Sequence, residues 1–304
     1  MPSRSSRCAL AALGLVTACQ PQGERATPAA MSAVPTFAGS ASSPLSISAP
    51  APAPPGPSAV ASARAPAGPC PAGMARIPGG TFRPLKKSQG TATVAPFCLD
   101  VVEVTVADYK ACVREKKCSP ECLSLGTCSA VPTQAEWGDT SESQRSSHFC
   151  NGDRDDRQDH PVNCVSWEES STYCASVGKR LPLPAEWEWA ARSANPKSRY
   201  PWGVDPGTDQ PCWSPKKHRH DGTCVVGTYP LDRSAQGVLD LAGNVSEWVD
   251  APALRGTPVR KAFGASWWAM DDGYLGAALG GVDMPSARNE TVGFRCAEEQ
   301  ASAP

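Results

Sequence analysis

Cysteine content restricts the fold of this chain more than any other feature, because its 304 residues include 14 Cys. Cys8 and Cys19 lie in an N-terminal apolar region, and the other 12 begin at Cys70. An even number of Cys without the CxxC spacing of zinc sites predicts disulfides and an oxidising compartment. Gly, Pro and short apolar runs are scattered after Cys70, so we expect few long helices.

The charge balance excludes one class of partner. The chain has 29 Lys+Arg against 30 Asp+Glu, a net charge of −1, whereas nucleic-acid-binding domains are strongly basic. After residue 20, no apolar run approaches the roughly 20 residues that a membrane-spanning helix needs. The sequence therefore predicts a protein that binds no nucleic acid and has no transmembrane helix.

Residues 1–18 have the features of an export signal. Arg4 and Arg7 precede an apolar run, Cys8–Val16, and the small residues before Cys19 resemble the lipobox of bacterial lipoproteins. This interpretation makes Cys19 the lipidated first residue of the mature protein, exported and lipid-anchored to the bacterial envelope on its periplasmic or outer side. The alternative is an ordinary secretory signal in which Cys19 is accidental.

Residues 19–69 predict a disordered linker. Between residues 20 and 69 there are 11 Pro, 14 Ala and 8 Ser but only three charged residues. Such a segment buries too little apolar surface to offset the entropy lost on ordering. We therefore expect a Pro-stiffened tether, followed by a folded domain over residues 70–299 and a short tail over residues 300–304.

Capping signals predict three helices in the folded domain. The first begins after Thr105 and covers residues 106–112. The second follows the capping box Ser166–Glu169 and ends before Gly178, and the third covers residues 184–192, with Pro184 at its first position. We predict short strands over residues 75–77, 225–229 and 292–296.

Seven ordered motifs resemble one known family. They are HPVNCVSW (160–167), YC (173–174), GKRLP (178–182), AEWEWAAR (185–192), YPWG (200–203), LAGNVSEW (241–248) and GFRC (293–296). The series is similar to the formylglycine-generating enzyme, or sulfatase-modifying factor, family and extends essentially from residue 71 to 297. The resemblance implies a single compact α+β domain with a C-type-lectin-like fold, poor in regular secondary structure.

The resemblance fails at the copper site of the oxidising members. These enzymes hold copper with two cysteines, four residues apart, just after a Gly-Gly-Ser segment. Here that segment reads Gly264-Ala265-Ser266, and the two cysteine positions fall on Ala269 and Tyr274. No Cys occurs between Cys224 and Cys296, and carboxylates such as those of Asp271 and Asp272 do not suit Cu(I). We therefore expect no copper–thiol oxidase chemistry.

A calcium site is implied by the same resemblance. Its ligands would be the side chains of Asp240 and Glu247 and the backbone carbonyls of Gly243 and Val245, an all-oxygen set that suits Ca²⁺. The alternative is a solvent-facing turn in which Asp240 and Glu247 only cap a helix. A substitute iron site lacks support, because the four His (His148, His160, His218 and His220) show no ligand pattern.

The disulfide pairing is only partly implied. The resemblance pairs Cys174 with Cys296. We further expect Cys212 to pair with Cys224, closing a short loop, and Cys98 to pair with Cys164. The partners of six other cysteines stay open: Cys70, Cys112, Cys118, Cys122, Cys128 and Cys150.

The region that matches the family's substrate cleft contains an aromatic and acidic cluster. Trp268, Asp271, Asp272 and Tyr274 predict a remodelled cleft for an extended peptide or a glycan, whereas Trp267 is as readily explained as a core residue. Two functions compete: a non-catalytic binding or structural module, and a family oxidoreductase that uses an unrecognised site. Partners would be the membrane, through the lipid, and an envelope peptide, protein or glycan.

Overall fold

A computed structural model describes residues 68–85, 90–123, 149–206, 211–214, 222–252, 256–270, 275–276 and 280–300. All of them belong to one compact unit, Ala61–Pro304. The predicted signal peptide, and the predicted linker up to residue 67, lie outside the described residues. No helix within the described ranges is both long and apolar enough to cross a membrane.

The three predicted helices are confirmed. They are α1 (Val106–Arg114), α2 (Trp167–Ser176) and α3 (Pro184–Ala191). Both predicted N-caps form, because Thr105 Oγ1 accepts from the Asp108 N–H and Ser166 Oγ from the Glu169 N–H. Gly178 has a φ of +76° just after α2, the left-handed conformation that ends many helices.

Short strands form three small sheets. The strands are β1 (Met74–Ile77), β2 (Gly80–Phe82), β3 (Ala92–Val94), β4 (Phe97–Asp100), β5 (Ser246–Pro252), β6 (Arg260–Phe263), β7 (Val282–Asp283), β8 (Val292–Gly293) and β9 (Ala297–Glu299). The sheet orders are β1-β4-β9, β2-β3 and β7-β6-β5-β8. Only the β5–β8 pair is parallel among the pairings of the described strands. The domain is therefore α+β with little regular secondary structure, as predicted.

Two of the three predicted strands need correction. The strand at 75–77 is confirmed within β1, but the last one is shorter than predicted, because only Val292 and Gly293 pair with β5. The strand predicted over residues 225–229 is wrong. Gly227 has a φ of +71°, and the Thr228 N–H donates to the Val225 carbonyl, so the segment turns instead of extending.

The core consists of separate clusters around buried aromatic residues. Trp187, Ile77 and Phe97 centre the cluster between α3 and the first sheet, while Trp248 and Phe294 belong to a second one against α1 and α2. A smaller third cluster contains Tyr200, Trp213, Ala242, Ala265 and Leu275. Buried aromatic rings thus replace long regular elements in fixing the loops of the domain.

Five disulfides connect the described residues. The pairs are Cys70–Cys98, Cys112–Cys118, Cys150–Cys164, Cys174–Cys296 and Cys212–Cys224. The predicted pairs Cys174–Cys296 and Cys212–Cys224 are confirmed, but the predicted Cys98–Cys164 pair is wrong. In the β1–β4 pairing, Arg76 lies opposite Cys98. Because Cys70 lies just before β1, this register brings it next to Cys98, with a Cα–Cα distance of 5.6 Å. Cys128 lies outside the described residues, so no partner is assigned to it.

Candidate functional site

The segment that follows β6 forms the floor of the candidate site. Gly264 has a φ of +83°, and a Cβ there would lie 3.1 Å from the Trp187 ring, so only glycine fits without a shift. The next residues turn back into the domain, and the Trp267 N–H donates to the Asn244 carbonyl over 2.8 Å. Trp267 is only 1% exposed, so the interpretation of this residue as core is confirmed.

Trp268 points the other way and is 44% exposed. Its indole meets that of Trp267 edge-on, with the ring centroids 5.3 Å apart, which fixes its orientation. Trp268 lines an open pocket of about 400 Å³ together with small residues and one thioether: Ser246, Gly264, Ala265, Ser266, Ala269, Met270, Gly280 and Gly281. The part of the pocket lined by described residues is therefore shallow and mostly apolar, and among them Trp268 presents the only large flat surface.

Ala269 lies in the wall of this pocket. Its N–H donates to the Ser266 carbonyl over 2.9 Å, and its own carbonyl accepts from the Ser214 N–H over 3.0 Å. The backbone is thus held firmly, but the methyl side chain has no lone pair to offer a metal. The other predicted cleft residues, Asp271, Asp272 and Tyr274, lie outside the described residues.

A buried ion pair lies behind the pocket. Arg295 and Glu247 are both fully buried, and Arg295 donates from Nε to Glu247 Oε2 over 2.7 Å and from Nη2 to Oε1 over 2.8 Å. Trp187 Nε1 also donates to Glu247 Oε2, over 2.7 Å. The guanidinium additionally reaches the carbonyls of Asp100 and Leu239, which ties three chain segments together.

Further carboxyl groups are buried beside this ion pair. Asp240 is 2% exposed with a φ of +56°, and burial raises its pKa to about 6. Glu103 is 1% exposed, and neither of its carboxylate oxygens has a hydrogen-bond partner. Burial and then the charge of Asp240 raise the pKa of Glu103 well above its usual range. Asp232 is similar, with Oδ1 unpartnered and a pKa raised by burial and by Asp240.

These groups fit a calcium ion by their chemistry. Glu103 lacks a hydrogen-bond partner, whereas Asp240 accepts from the Gly227 N–H and Asp232 from the Ala242 N–H. Buried carboxylates this close repel one another when charged, and a divalent cation would reduce both the repulsion and the desolvation cost. Among the described residues no three His, Cys, Asp or Glu side chains converge as a ligand set, so backbone carbonyls would have to complete the shell. Glu103, Asp240 and the carbonyls of Gly243 and Val245 would supply such oxygens. Glu247 Oε1 accepts one hydrogen bond from Arg295 and has a second lone pair.

Sequence reasoning missed Glu103. Glu103 and Asp240 are 137 positions apart in the sequence, and Glu103 precedes an ordinary helix cap at Thr105. A local signal did exist, because an acidic residue inside the apolar run Val101–Val106 is unexpected unless it has a partner.

His160 belongs to a separate polar network. Its Nδ1 lies 2.9 Å from Thr223 Oγ1 and 3.2 Å from Arg157 Nη1. Burial, and then the charge of Arg157, lower the pKa of His160 to about 4, so the imidazole is neutral at physiological pH. The contacts join residues 157–160 to the segment before Cys224, as expected of a structural histidine. His148, His218 and His220 lie outside the described residues.

An α+β domain of small sheets, cross-linked by disulfides, with a Gly-Ala-Ser floor under an open pocket, defines a formylglycine-generating-enzyme-like domain. The chain belongs to the family described as the sulfatase-modifying factor enzyme 1-like domain, which matches residues 60–300.

Named relatives include one described as inactive and one described as an enzyme. The mouse inactive C-alpha-formylglycine-generating enzyme 2 is 30% identical over 268 residues, covering 74% of this chain and 85% of the relative. The formylglycine-generating enzyme of Thermomonospora curvata is 29% identical over 235 residues, covering 66% of this chain and 73% of the relative. Overall sequence identity to these relatives therefore does not distinguish an inactive member from an active enzyme. Only the residues of the site can make that distinction.

Among solved structures, PvdO from Pseudomonas aeruginosa has the same fold. The TM-score is 0.55 at 21% identity, and the match covers 74% of this chain and 94% of that chain. This likeness supports the assignment of the fold and carries no functional information.

Proposed function

We propose that this chain is a non-oxidising member of the family that acts as an exported, lipid-anchored binding module. The observation that carries the proposal is the alanine at position 269, in the wall of the pocket where the resemblance requires a copper-binding thiolate. Tyr274 occupies the second cysteine position in the sequence. Thiolates are the protein ligands that hold Cu(I) best, and a methyl group cannot replace one.

The pocket beside Trp268 supports binding in place of oxidation. Its exposed indole and the exposed Met270 face solvent, where apolar surface is costly unless a ligand covers it. The floor of Gly, Ala and Ser gives a ligand close access to backbone groups. An extended peptide or a glycan of the cell envelope fits a shallow pocket whose described lining is mostly small and uncharged, with Trp268 as an aromatic platform.

Calcium is part of the proposal as a structural ion. It would neutralise Glu103 and Asp240 beside the Arg295–Glu247 pair and so hold the loop from residue 240 to 247 against α3. No part of the proposed binding at Trp268 depends on the ion directly.

The proposed absence of oxidase activity is tested with the full chain and one engineered control. The wild-type protein, loaded with Cu(I) and given O₂ and a cysteine-containing sulfatase peptide, should bind no stoichiometric copper and form no aldehyde. The double variant Ala269→Cys and Tyr274→Cys should gain tight Cu(I) binding, which shows that the assay detects the site. Aldehyde formation by the wild type would overturn the proposal.

The binding role is tested by screening envelope peptides and glycans against the wild type and Trp268→Ala. Val177→Ala, at an exposed apolar residue outside this pocket, is the control. The proposal requires a ligand whose binding is lost only in the Trp268 variant, and it fails if no ligand is found. The lipid anchor is tested separately, since Cys19→Ser should release the protein from membranes.

A second candidate function is a family oxidoreductase with a different site, favoured by the similarity to the Thermomonospora curvata enzyme. It requires stoichiometric iron or copper in the purified protein, together with O₂ uptake on a cysteine-containing peptide. Metal content and oxygen consumption measured on the same preparation decide between the two.

A further inference from the structure

A second cleft of about 510 Å³ opens between the turn Tyr200–Gly203 and the loop from residue 230 to 235. Among the described lining residues, none is shared with the pocket beside Trp268. The proposed function above makes no use of it.

The walls of this cleft are tied together by one serine. Ser193 Oγ accepts from the Ala235 N–H over 2.8 Å and donates to the Pro201 carbonyl. The Ser193 carbonyl accepts from Gln236 Nε2 over 3.2 Å. The turn and the loop are therefore held at a fixed separation, so the cleft is formed before any ligand arrives.

An aromatic platform forms one wall. Trp202 stacks on buried Tyr200 with ring centroids 5.2 Å apart and planes only 5° from parallel. The Trp202 Nε1–H donates to the Asp205 carbonyl over 2.9 Å. The stacking contact and this hydrogen bond together fix the orientation of the indole. Across the cleft, Leu231 is 63% exposed and extends the apolar surface. Such a rigid, flat apolar surface suits the C–H face of a sugar ring, because those hydrogens carry a small positive charge that the π-face attracts.

The described lining of the cleft carries a positive charge. Arg233 is exposed and lines it, while none of the described lining residues is an Asp or Glu. Asn195 and Ser198 add small polar groups on the side of the turn. An anionic ligand is therefore favoured over a cationic one, and a ligand with hydroxyl groups is favoured over a purely apolar one.

We propose that this cleft binds an acidic glycan, with a uronic acid ring stacked on Trp202 and its carboxylate held by Arg233. An acidic peptide would use the arginine but not the flat indole, and a neutral glycan would use the indole but not the arginine. A uronate-bearing sugar is the ligand class that uses both.

The test is calorimetric titration of the full chain with trigalacturonate at low salt. We expect binding that weakens as salt is added, falls about tenfold in Arg233→Gln and falls similarly in Trp202→Leu. Val177→Ala, at an exposed apolar residue that lines neither pocket, should bind as the wild type does. A neutral galactose trisaccharide should bind at least about tenfold more weakly than trigalacturonate to the wild type.

Several results would overturn the proposal: no binding of trigalacturonate, equal binding of the neutral trisaccharide, or affinities unchanged in both variants. If oligoglutamate of the same charge binds as tightly as trigalacturonate, and binds Trp202→Leu equally well, the ligand is an acidic protein segment and not a glycan. Thermal unfolding confirms that each variant is folded. If Trp202→Leu is not, Leu231→Glu at the exposed wall should also abolish binding by repelling the carboxylate. Binding unchanged in that variant would contradict the proposal.

Discussion

Arg295 and Glu247 form a two-point ion pair with no exposure to solvent, at distances of 2.7 Å and 2.8 Å between donor and acceptor atoms. Arg295 lies in the GFRC motif after β8, and Glu247 lies in β5. The pair therefore links the segment that follows β8 to the sheet beside the pocket.

Loss of Arg295 should be severely destabilising. Arg295→Ala leaves the Glu247 carboxylate buried without a counter-charge, and we expect the free energy of unfolding to fall by about 3–5 kcal/mol. Urea denaturation with the disulfides intact measures it. Lys117→Ala, which removes the partner of the exposed Glu115, is the control and should leave the free energy of unfolding nearly unchanged. Similar losses in the two variants would contradict the importance of burial.

The disulfides should contribute unequally to stability. Cys174–Cys296 spans 122 residues and Cys112–Cys118 only 6, so their removal should cost about 5 and about 2 kcal/mol by the loop-entropy argument. Thermal melts of the two paired Cys→Ala variants compare them. Equal effects would show that native contacts, not restriction of the unfolded chain, determine the contribution of each bridge.

Stability should fall as the pH decreases from about 6.5 to about 4, in part because of His160. Its pKa is lowered to about 4 in the folded protein, so the unfolded chain binds more protons over this range. Its contribution is complete above pH 6.5 and is lost on acidification. His160→Asn retains a group at the Nδ1 position without titrating, and its melting temperature should decline less steeply from pH 7 to 4. An identical pH profile would contradict the assignment.

The substitution Glu103→Gln should change the melting temperature in opposite directions with and without a bound calcium ion. If the ion binds, a calcium concentration 100 times its dissociation constant adds about 2.7 kcal/mol of stability, and chelation removes it. Glu103→Gln should then lower the melting temperature and abolish the response to a chelator, whereas Asp250→Asn, at an exposed carboxylate, should change neither. A higher melting temperature in Glu103→Gln would show that the buried carboxylate is uncompensated and that no ion is bound.

Local signals predicted the helices well but not the contacts between distant segments. Thr105 and Ser166 carry their capping partners three residues away, so the sequence contains all of the information needed. Val225–Tyr229 has the apolar composition of a strand, yet Gly227 turns there and donates to Asp240, a contact that composition does not encode. The partner of Cys98 likewise depended on the β1–β4 register, and spacing along the chain could not identify it.

The sequence predicted individual residues of the candidate site but not which residues lie together in the fold. Motif order located Ala269 and Trp268, and the structure places both at one pocket. Glu103 was missed because its charge acquires meaning only beside Asp240. The cleft at Trp202 was missed for the same reason, since Arg233 joins the YPWG turn only through folding.

The bridge between Cys174 and Cys296 also affects how damage to the protein would be detected. A protease that cuts once between these residues produces two fragments that stay covalently joined, and a non-reducing gel would display them as one intact band. Only after reduction would the two fragments separate. Cleavage of this domain would therefore pass unnoticed unless samples are compared with and without a reducing agent.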